Sequence, residues 1–212
     1  MKKITLAFLL LIITSCAEKE EKSVVEKIAE AHGLDQFEEI EELRFTFNVK
    51  VNDSLRTSRA WTWNPKTNMV TLTTPDSTVT YNHKTEASEN QQTDQRFIND
   101  QYWLLFPFHL VWDEMDWEHT EEATAPISGD SMQKVTVTYP DGAGYTPGDV
   151  YEIYFGDDHI IREWIYRSGG STENLFPATW EGYKEFNGLY ISTMHRNADG
   201  SFELFFTEVS IE

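Results

Sequence analysis

Residues that could do chemistry are few in this sequence, and one acidic stretch groups several of them. The segment DEMDWEH, residues 113–119, brings four carboxylates close to one imidazole. Two carboxylates can hydrolyse a glycosidic bond when they are held about 5–10 Å apart, and several together can bind calcium. A flexible acidic loop fixes neither geometry, so the composition favours a solvated surface segment. A calcium site and a catalytic pair stay open as alternatives.

A second acidic fragment, Asp157-Asp158-His159, combines ligand types that suit divalent ions. Its position after Gly156 favours the simpler interpretation of a charged hairpin tip. The six histidines are far apart in the sequence, and Gly-x-Ser-x-Gly, His-Glu-x-x-His and phosphate-loop motifs are absent. We therefore expect no catalytic residues, no metal ion and no cofactor, and we predict that the protein is not an enzyme.

The N-terminus has the pattern of a bacterial lipoprotein signal. Two lysines precede an apolar run over residues 4–13, which at about ten residues is too short to span a bilayer as a helix. The segment ITSC, residues 13–16, resembles a lipobox. Cys16 is the only cysteine, so it cannot form an internal disulfide. We expect a signal peptide over residues 1–15 and membrane attachment through a lipidated Cys16.

The residues that follow Cys16 bear on location and partners. In the lipoproteins that this pattern resembles, a residue such as Ala17 favours the outer membrane over retention in the inner membrane. Residues 16–22 form the lipidated cysteine and an acidic tether, and its EKEEK part resembles surface-export signals of bacteroidete lipoproteins. The periplasmic face and the cell surface both stay open. A formal net charge of −19 repels phosphates, which argues against a nucleic-acid partner.

Hydrophobic periodicity predicts two helices. A capping box, Ser23-Val24-Val25-Glu26, begins the first helix, and Gly33 ends it. A short turn or helix follows over residues 35–42. The second helix is a mid-chain insertion from residue 94 to about residue 106, where apolar side chains recur at helical spacing. Pro107 lacks an amide hydrogen, so it ends or kinks that helix.

Residues 23–212 are predicted to form a single domain that is mainly β. The clearest strand covers residues 43–51, because apolar and polar side chains alternate along all of it. With its hairpin signals, the chain predicts a single antiparallel sheet of about ten strands, accompanied by an N-terminal helix and a mid-chain helical insertion. The strands are predicted at residues 43–51, 55–63, 69–74, 77–82, 134–139, 149–155, 160–167, 178–185, 189–196 and 202–211.

Aromatic residues make up 14% of the sequence, and three interpretations of them stay open. They fill a core, they wall a concave pocket for acyl chains, or Trp61 and Trp63 form an exposed platform that stacks on sugars. That platform loses its surface if both indoles share the face of Phe45 and Phe47. The apolar stretch YWLLFPFHLVW, residues 102–112, is either a plug that fills the half-barrel or a lid over a ligand.

Two short elements resemble those of LolA-like lipoproteins of bacteroidete type, which are similar to the outer-membrane lipoprotein-sorting proteins LolA and LolB. Ala31-His32-Gly33 matches an element before the first strand, although Leu34 stands where that element has a second glycine. Residues 102–110 match a mid-chain Tyr-Trp…Pro-Phe…Leu element. The resemblance implies an unclosed antiparallel half-barrel with helices over an apolar cavity, and it implies no catalytic residues.

The predicted function is therefore a lipid-anchored cell-envelope protein that binds an acyl chain or another hydrophobic small molecule without catalysis. Other envelope proteins are candidate partners. The alternative is a surface-exposed glycan-binding or adhesion lipoprotein with no lipid cavity. The ligand is expected on the concave face of the half-barrel. The expected ligand-binding residues are Phe45, Phe47, Trp61, Trp63, Tyr102, Trp103, Leu105, Phe106, Phe108 and Leu110.

Overall fold

The computed structural model describes residues 21–142, 145–173 and 175–212. The predicted signal peptide over residues 1–15, the lipidated Cys16 and most of the tether lie outside the described residues. Within the described ranges, no helix combines the length and the hydropathy that a membrane crossing requires.

Three α-helices and thirteen strands make up the described part of the chain. The helices are α1 (Val24–Ala31), α2 (Leu34–Phe37) and α3 (Gln91–Trp112). The strands are β1 (Leu43–Val51), β2 (Ser54–Asn64), β3 (Met69–Thr73), β4 (Thr78–Asn82), β5 (Asp116–Thr124), β6 (Ser131–Thr138), β7 (Val150–Phe155), β8 (Ile161–Arg167), β9 (Phe176–Thr179), β10 (Lys184–Phe186), β11 (Leu189–Ile191), β12 (Met194–Arg196) and β13 (Phe202–Ile211).

The strands form two large antiparallel sheets and one hairpin. The first sheet has six strands in the order β12-β13-β1-β2-β3-β4, and the second has five in the order β5-β6-β7-β8-β9, while β10 pairs with β11. A single bridge between Glu181 and Met194 joins the two large sheets at their β9 and β12 edges. The predicted fold class, mainly β with unclosed antiparallel sheets and a few helices, is confirmed. The strand count and the division into sheets differ from the single sheet expected.

The first helix begins as its sequence predicts. The Ser23 hydroxyl accepts a hydrogen bond from the Glu26 amide at 3.4 Å, and the Glu26 carboxylate accepts one from the Ser23 amide at 2.7 Å. These two bonds satisfy amides that the first turn of a helix leaves unpaired. The buried face of α1, formed by Val25, Ile28 and Ala29, then packs into the protein core.

Helix α3 lies between the two large sheets. On one side, the Phe97 ring packs 5.5 Å from Trp61 of β2. On the other side, the Phe106 ring lies 4.9 Å from Tyr151 of β7 and 5.2 Å from Trp164 of β8. Because both sheets cover it, the helix is buried on most of its circumference.

Pro107 distorts α3 without ending it, which resolves the two outcomes that the sequence left open. The helix continues to Trp112, and Leu105 has non-helical angles of φ −121° and ψ 16°. A proline ring clashes with the carbonyl four residues earlier, here that of Trp103, and the missing amide removes one helical hydrogen bond. Packing on both sides holds the helix together across the distortion.

Strand β5 is the element that the sequence analysis missed. Its residues overlap the acidic stretch predicted to be a solvated surface segment, and nearly all its side chains are exposed. Backbone pairing to β6, from Asp116 opposite Thr138 to Thr124 opposite Ser131, defines it as a strand. Since neither of its faces is buried, no alternation of apolar and polar residues marks it.

Two other predicted strands are each divided in two. Residues 178–185 are interrupted between β9 and β10, where Gly182 has a φ of +63°. Residues 189–196 are interrupted between β11 and β12, where the hydroxyls of Ser192 and Thr193 donate to the Glu181 and Gly182 carbonyls at 2.8 and 2.6 Å. Side-chain hydrogen bonds replace the regular ladder there.

Candidate functional site

A cavity of about 740 Å³ opens beside the N-terminal half of α3. Helix α3 and the turn before it form one wall, residues 145–149 form a second, and strands β7 and β8 form the floor. Its volume falls within the range of small-molecule binding sites, which is about 300–1,000 Å³. We call this space the α3 cavity.

The floor of the α3 cavity is aromatic. Trp164 and Tyr166 are two residues apart on β8 and so share one face of the sheet, and Tyr151 of β7 lies directly opposite Tyr166 in the strand register. The Trp103 ring meets Trp164 edge-on at 4.5 Å, and Tyr151 lies 5.3 Å from Trp164. Trp164 and Tyr151 are almost fully buried, so this floor is held in place by the core beneath it.

The rim of the cavity is polar and uncharged. Gln91, Gln95 and Asn99 lie four residues apart along α3 and therefore share one face of the helix, and Ser88 extends this row in the turn before it. All four side chains are exposed. The row therefore presents amide and hydroxyl groups, which both donate and accept hydrogen bonds, above the aromatic floor.

Two buried carboxylates also line the cavity, and each is held by the protein itself. Asp94 accepts hydrogen bonds from the Tyr81 hydroxyl at 3.1 Å and from Nδ1 of His83 at 2.7 Å, and a third from the Tyr145 hydroxyl. Asp149 accepts from the Tyr166 hydroxyl at 3.1 Å and from a backbone amide at 2.8 Å.

The tyrosines that hold these carboxylates are firmly protonated. Burial raises the pKa of the Tyr145 hydroxyl, and the neighbouring carboxylate of Asp94 raises it further. Burial likewise raises the pKa of Tyr166, with Asp149 adding to the effect. These neutral phenols therefore act as hydrogen-bond donors to the two carboxylates.

A second, smaller cavity of about 370 Å³ lies on the other side of α3. It shares Ile98, Tyr102 and Tyr145 with the α3 cavity, and Trp63 and Trp112 are part of its far wall. These three shared side chains form the boundary between the two cavities. From the strands, the smaller space is lined by Trp63 of β2, whereas the larger space is lined by Tyr151 of β7 and by Trp164 and Tyr166 of β8.

Within the acidic stretch that was predicted to be solvated surface, Asp113 is partly buried. Asp113, at the end of α3, accepts hydrogen bonds from Nδ1 of His109 at 3.0 Å, from the Tyr139 hydroxyl at 3.1 Å and from the Tyr102 hydroxyl. Burial alone would raise its pKa, but these three hydrogen bonds hold the pKa of Asp113 below its ordinary value. Asp113 thus orients Tyr102 in the wall between the two cavities.

The metal-binding alternatives have no ligand set in the structure. Among the described residues, no three His, Cys, Asp or Glu side chains lie together as a metal site would require. Asp158 instead pairs with Arg162 at 2.6 Å and accepts the Ile160 amide at 3.1 Å. The segment 157–159 is the tip of the hairpin between β7 and β8.

The ten predicted ligand-binding residues divide into two groups. Tyr102 and Trp103 line the α3 cavity, and Trp63 and Tyr102 line the smaller one. The remaining seven are buried, and α3 itself covers the concave face on which a ligand was expected. Those seven core residues are Phe45, Phe47, Trp61, Leu105, Phe106, Phe108 and Leu110.

Trp61 and Trp63 do not form the exposed sugar-stacking platform, because both indoles are buried. Trp61 pairs with Phe45, and Trp63 pairs with Leu43, in the register of β1 and β2, so the indoles share the apolar face of β1. Trp61 is 2% exposed and Trp63 is 8% exposed. Their rings pack 5.5 and 5.7 Å from Phe97 of α3.

Most residues of the α3 cavity were missed by the sequence analysis. The spacing of Trp164 and Tyr166 within a predicted strand could have shown that they share a face. The row of Gln91, Gln95 and Asn99 has helical spacing, but its polar side chains resemble any solvated helix face. Only the fold brings this row over the aromatic floor.

The sequence matches no protein-family model, and no curated protein is significantly similar to it. Solved structures are similar to the chain at low identity. A DUF1329 family protein from Desulfovibrio piger and a LolA superfamily protein from Nitrosomonas europaea are each 8% identical, with 89% of this chain and 92% of the other covered and a TM-score of 0.49. An outer membrane lipoprotein-sorting protein domain from Vibrio parahaemolyticus is 9% identical, with 89% and 93% covered and a TM-score of 0.43. One of these structures is a member of the LolA superfamily, the group that two sequence elements of this chain resemble.

Proposed function

We propose that this chain is a non-catalytic, lipid-anchored envelope protein that holds an acyl chain or another hydrophobic ligand in the α3 cavity. The observation that carries the proposal is the cavity of about 740 Å³ with an aromatic floor and a polar rim. The site is thereby moved from the concave face of the first sheet to the side of α3 that faces β7 and β8.

The energetics of burial support a ligand with an apolar chain. Each methylene group that leaves water contributes about 0.8 kcal/mol, and several of them offset the cost of association. Trp103, Tyr151 and Trp164 already pack against one another. A ligand therefore meets a floor that is preorganised, which reduces the entropy lost on binding.

The state of the buried carboxylates supports binding over catalysis. Asp94 and Asp149 are both engaged by hydrogen bonds from tyrosine hydroxyls, Asp94 also by His83 and Asp149 by a backbone amide. General acid–base catalysis needs a carboxyl group that reaches the substrate and exchanges a proton with it. These two carboxylates serve instead to hold the walls of the cavity together.

The membrane attachment in this proposal rests on the N-terminal sequence. Lipidation of Cys16 after removal of residues 1–15 would anchor the protein, and Ala17 favours the outer membrane, on its periplasmic face or at the cell surface. The acidic tether of residues 16–22 would then separate the ligand-binding domain of residues 23–212 from the bilayer.

Photoaffinity labelling of the full chain tests where the ligand sits. The probe is a dodecyl maltoside analogue with a diazirine in its alkyl chain, added to protein extracted in a mild non-ionic detergent. After irradiation and digestion, we expect adducts on residues 87–103 and on β7 and β8, and excess unmodified dodecyl maltoside should remove them. Adducts confined to the exposed apolar residues Val111, Trp112 and Trp117 would contradict the proposal.

A further inference from the structure

The charge of the α3 cavity is informative about the head group of its ligand. Asp94 and Asp149 are the charged side chains among the described lining residues, and no Lys or Arg belongs to that set. The basic residue beside this row on α3, Arg96, is exposed and does not belong to the lining. An anionic head group in this cavity would lie near two carboxylates and would meet no Lys or Arg of the described lining, which is costly.

The rim supplies the groups that an uncharged polar head group needs. Gln91, Gln95 and Asn99 offer amide donors and acceptors in a row, with the Ser88 hydroxyl at its end. The side chains of Gln91, Gln95 and Ser88 make no hydrogen bonds to other described residues, so they are free to bind a ligand. Asp94 and Asp149, by contrast, are already engaged.

Resting on the proposed function, we infer that the α3 cavity prefers amphiphiles with an uncharged, hydroxyl-rich head group over amphiphiles with an anionic one. The alkyl chain lies on Trp103, Tyr151 and Trp164, and the head group bonds to the amide row of α3. Free fatty acids and phosphorylated amphiphiles are therefore poor ligands, although their chains fit the same floor. Affinity therefore depends on the head group of the ligand as well as on its alkyl chain.

Native mass spectrometry of the full chain with a competing mixture tests this selectivity. The mixture contains equal concentrations of dodecyl maltoside, dodecyl phosphate and dodecyltrimethylammonium, which share one alkyl chain and differ in head-group charge. We expect maltoside adducts to exceed phosphate adducts by about tenfold or more, and trimethylammonium adducts to exceed phosphate adducts as well, because the lining carboxylates do not repel a cation. Phosphate adducts as abundant as maltoside adducts would overturn the inference.

A charge introduced at the rim gives a second, independent readout. Gln95→Lys places a cation at the cavity, whereas Gln92→Lys places the same cation on α3 outside the lining, at an exposed position. We expect Gln95→Lys to raise the ratio of phosphate to maltoside adducts by about fivefold, and Gln92→Lys to leave it unchanged. Equal ratios in the two variants would count against head-group selection in this cavity.

The outcomes also separate this inference from the proposed function. If the wild-type chain forms no adduct with any of the three amphiphiles, the proposed function itself fails. If it binds all three equally and Gln95→Lys changes nothing, the cavity binds alkyl chains but does not select the head group.

Discussion

At the scale of single residues, Gly33 allows the end of α1 to approach the β10–β11 hairpin closely. Gly33 has a φ of +99°, and a Cβ atom there would lie 2.3 Å from the Gly188 carbonyl oxygen. The preceding carbonyl of His32 accepts the Tyr190 amide at 2.9 Å. The Ala31-His32-Gly33 element is thus the contact through which α1 docks on the β10–β11 hairpin.

His32 contributes to the same contact as a neutral side chain. Burial lowers the pKa of His32 to about 4. Its Nδ1 lies 2.8 Å from the Ile28 carbonyl, to which it donates. A neutral imidazole is the form that a buried site without a counter-charge tolerates.

Gly33→Ala should destabilise the protein more than Gly129→Ala. Gly129 also has a positive φ, +76°, but an added Cβ there meets no atom within 4 Å. The control should therefore lose only the cost of a left-handed conformation, about 1 kcal/mol, while Gly33→Ala also meets a backbone clash and should lose about 3 kcal/mol. Free energies of unfolding from urea titrations measure both, and equal losses would show that the approach to Gly188 is not tight.

At the scale of elements, one buried ion pair fixes α3 against β2. The Asp100 carboxylate accepts hydrogen bonds from Arg59 at 2.7 and 2.6 Å and from the Trp61 indole at 2.8 Å. Burial raises the pKa of Asp100, and the bonds from Arg59 and Trp61 oppose that effect. The fork of Arg59 sets both the distance and the rotation of the helix, because a bidentate contact tolerates little change in either.

Asp100→Asn should cost about 3 kcal/mol of unfolding free energy, because it leaves Arg59 partly buried without a counter-charge. Glu41→Gln is the matched control, since Glu41 pairs with Lys66 at 3.7 Å where both side chains are exposed. That change should cost about 0.5 kcal/mol or less. Thermal and urea unfolding measure both variants, and a loss for Asp100→Asn no larger than the control would refute the role given to this pair.

Three elements, β1, α3 and β5, show what the sequence could and could not predict. Strand β1 was predicted at its observed bounds because apolar and polar side chains alternate along it, although Thr46 and Asn48 of the polar face are buried as well. Helix α3 was predicted to end near residue 106 because Pro107 follows, whereas packing against both sheets carries the helix on to Trp112. Strand β5 was missed because neither of its faces is buried. Periodicity reports an element only when its two faces differ.

At the scale of the whole molecule, residues 102–112 act partly as a plug and partly as the wall of a cavity. From Leu104 to Leu110 the helix is a plug, buried between the two sheets. Tyr102 and Trp103, at its start, instead belong to the wall of the α3 cavity. A single helix therefore fills one part of the space between the sheets and leaves a cavity beside the other.

The fold class could be predicted from the sequence, whereas the candidate site could not. Strand patterns and turn signals are local, so the antiparallel strands followed from them, whereas the unclosed architecture was implied by the family resemblance. The α3 cavity depends on bringing Gln95 of a helix over Trp164 of a distant strand, and no local pattern encodes that distance. The sequence therefore predicted the aromatic ligand wall on the face that α3 occupies.

Filling the α3 cavity is the most direct test of the central claim that it binds the ligand. Gln95→Trp places a bulky ring at the rim of the cavity, and Gln92→Trp places the same ring on α3 outside the lining. Native mass spectrometry of the full chain with dodecyl maltoside measures the fraction of protein that carries an adduct. We predict that Gln95→Trp lowers this fraction by about fivefold while Gln92→Trp matches the wild type. Undiminished binding by Gln95→Trp would contradict the account.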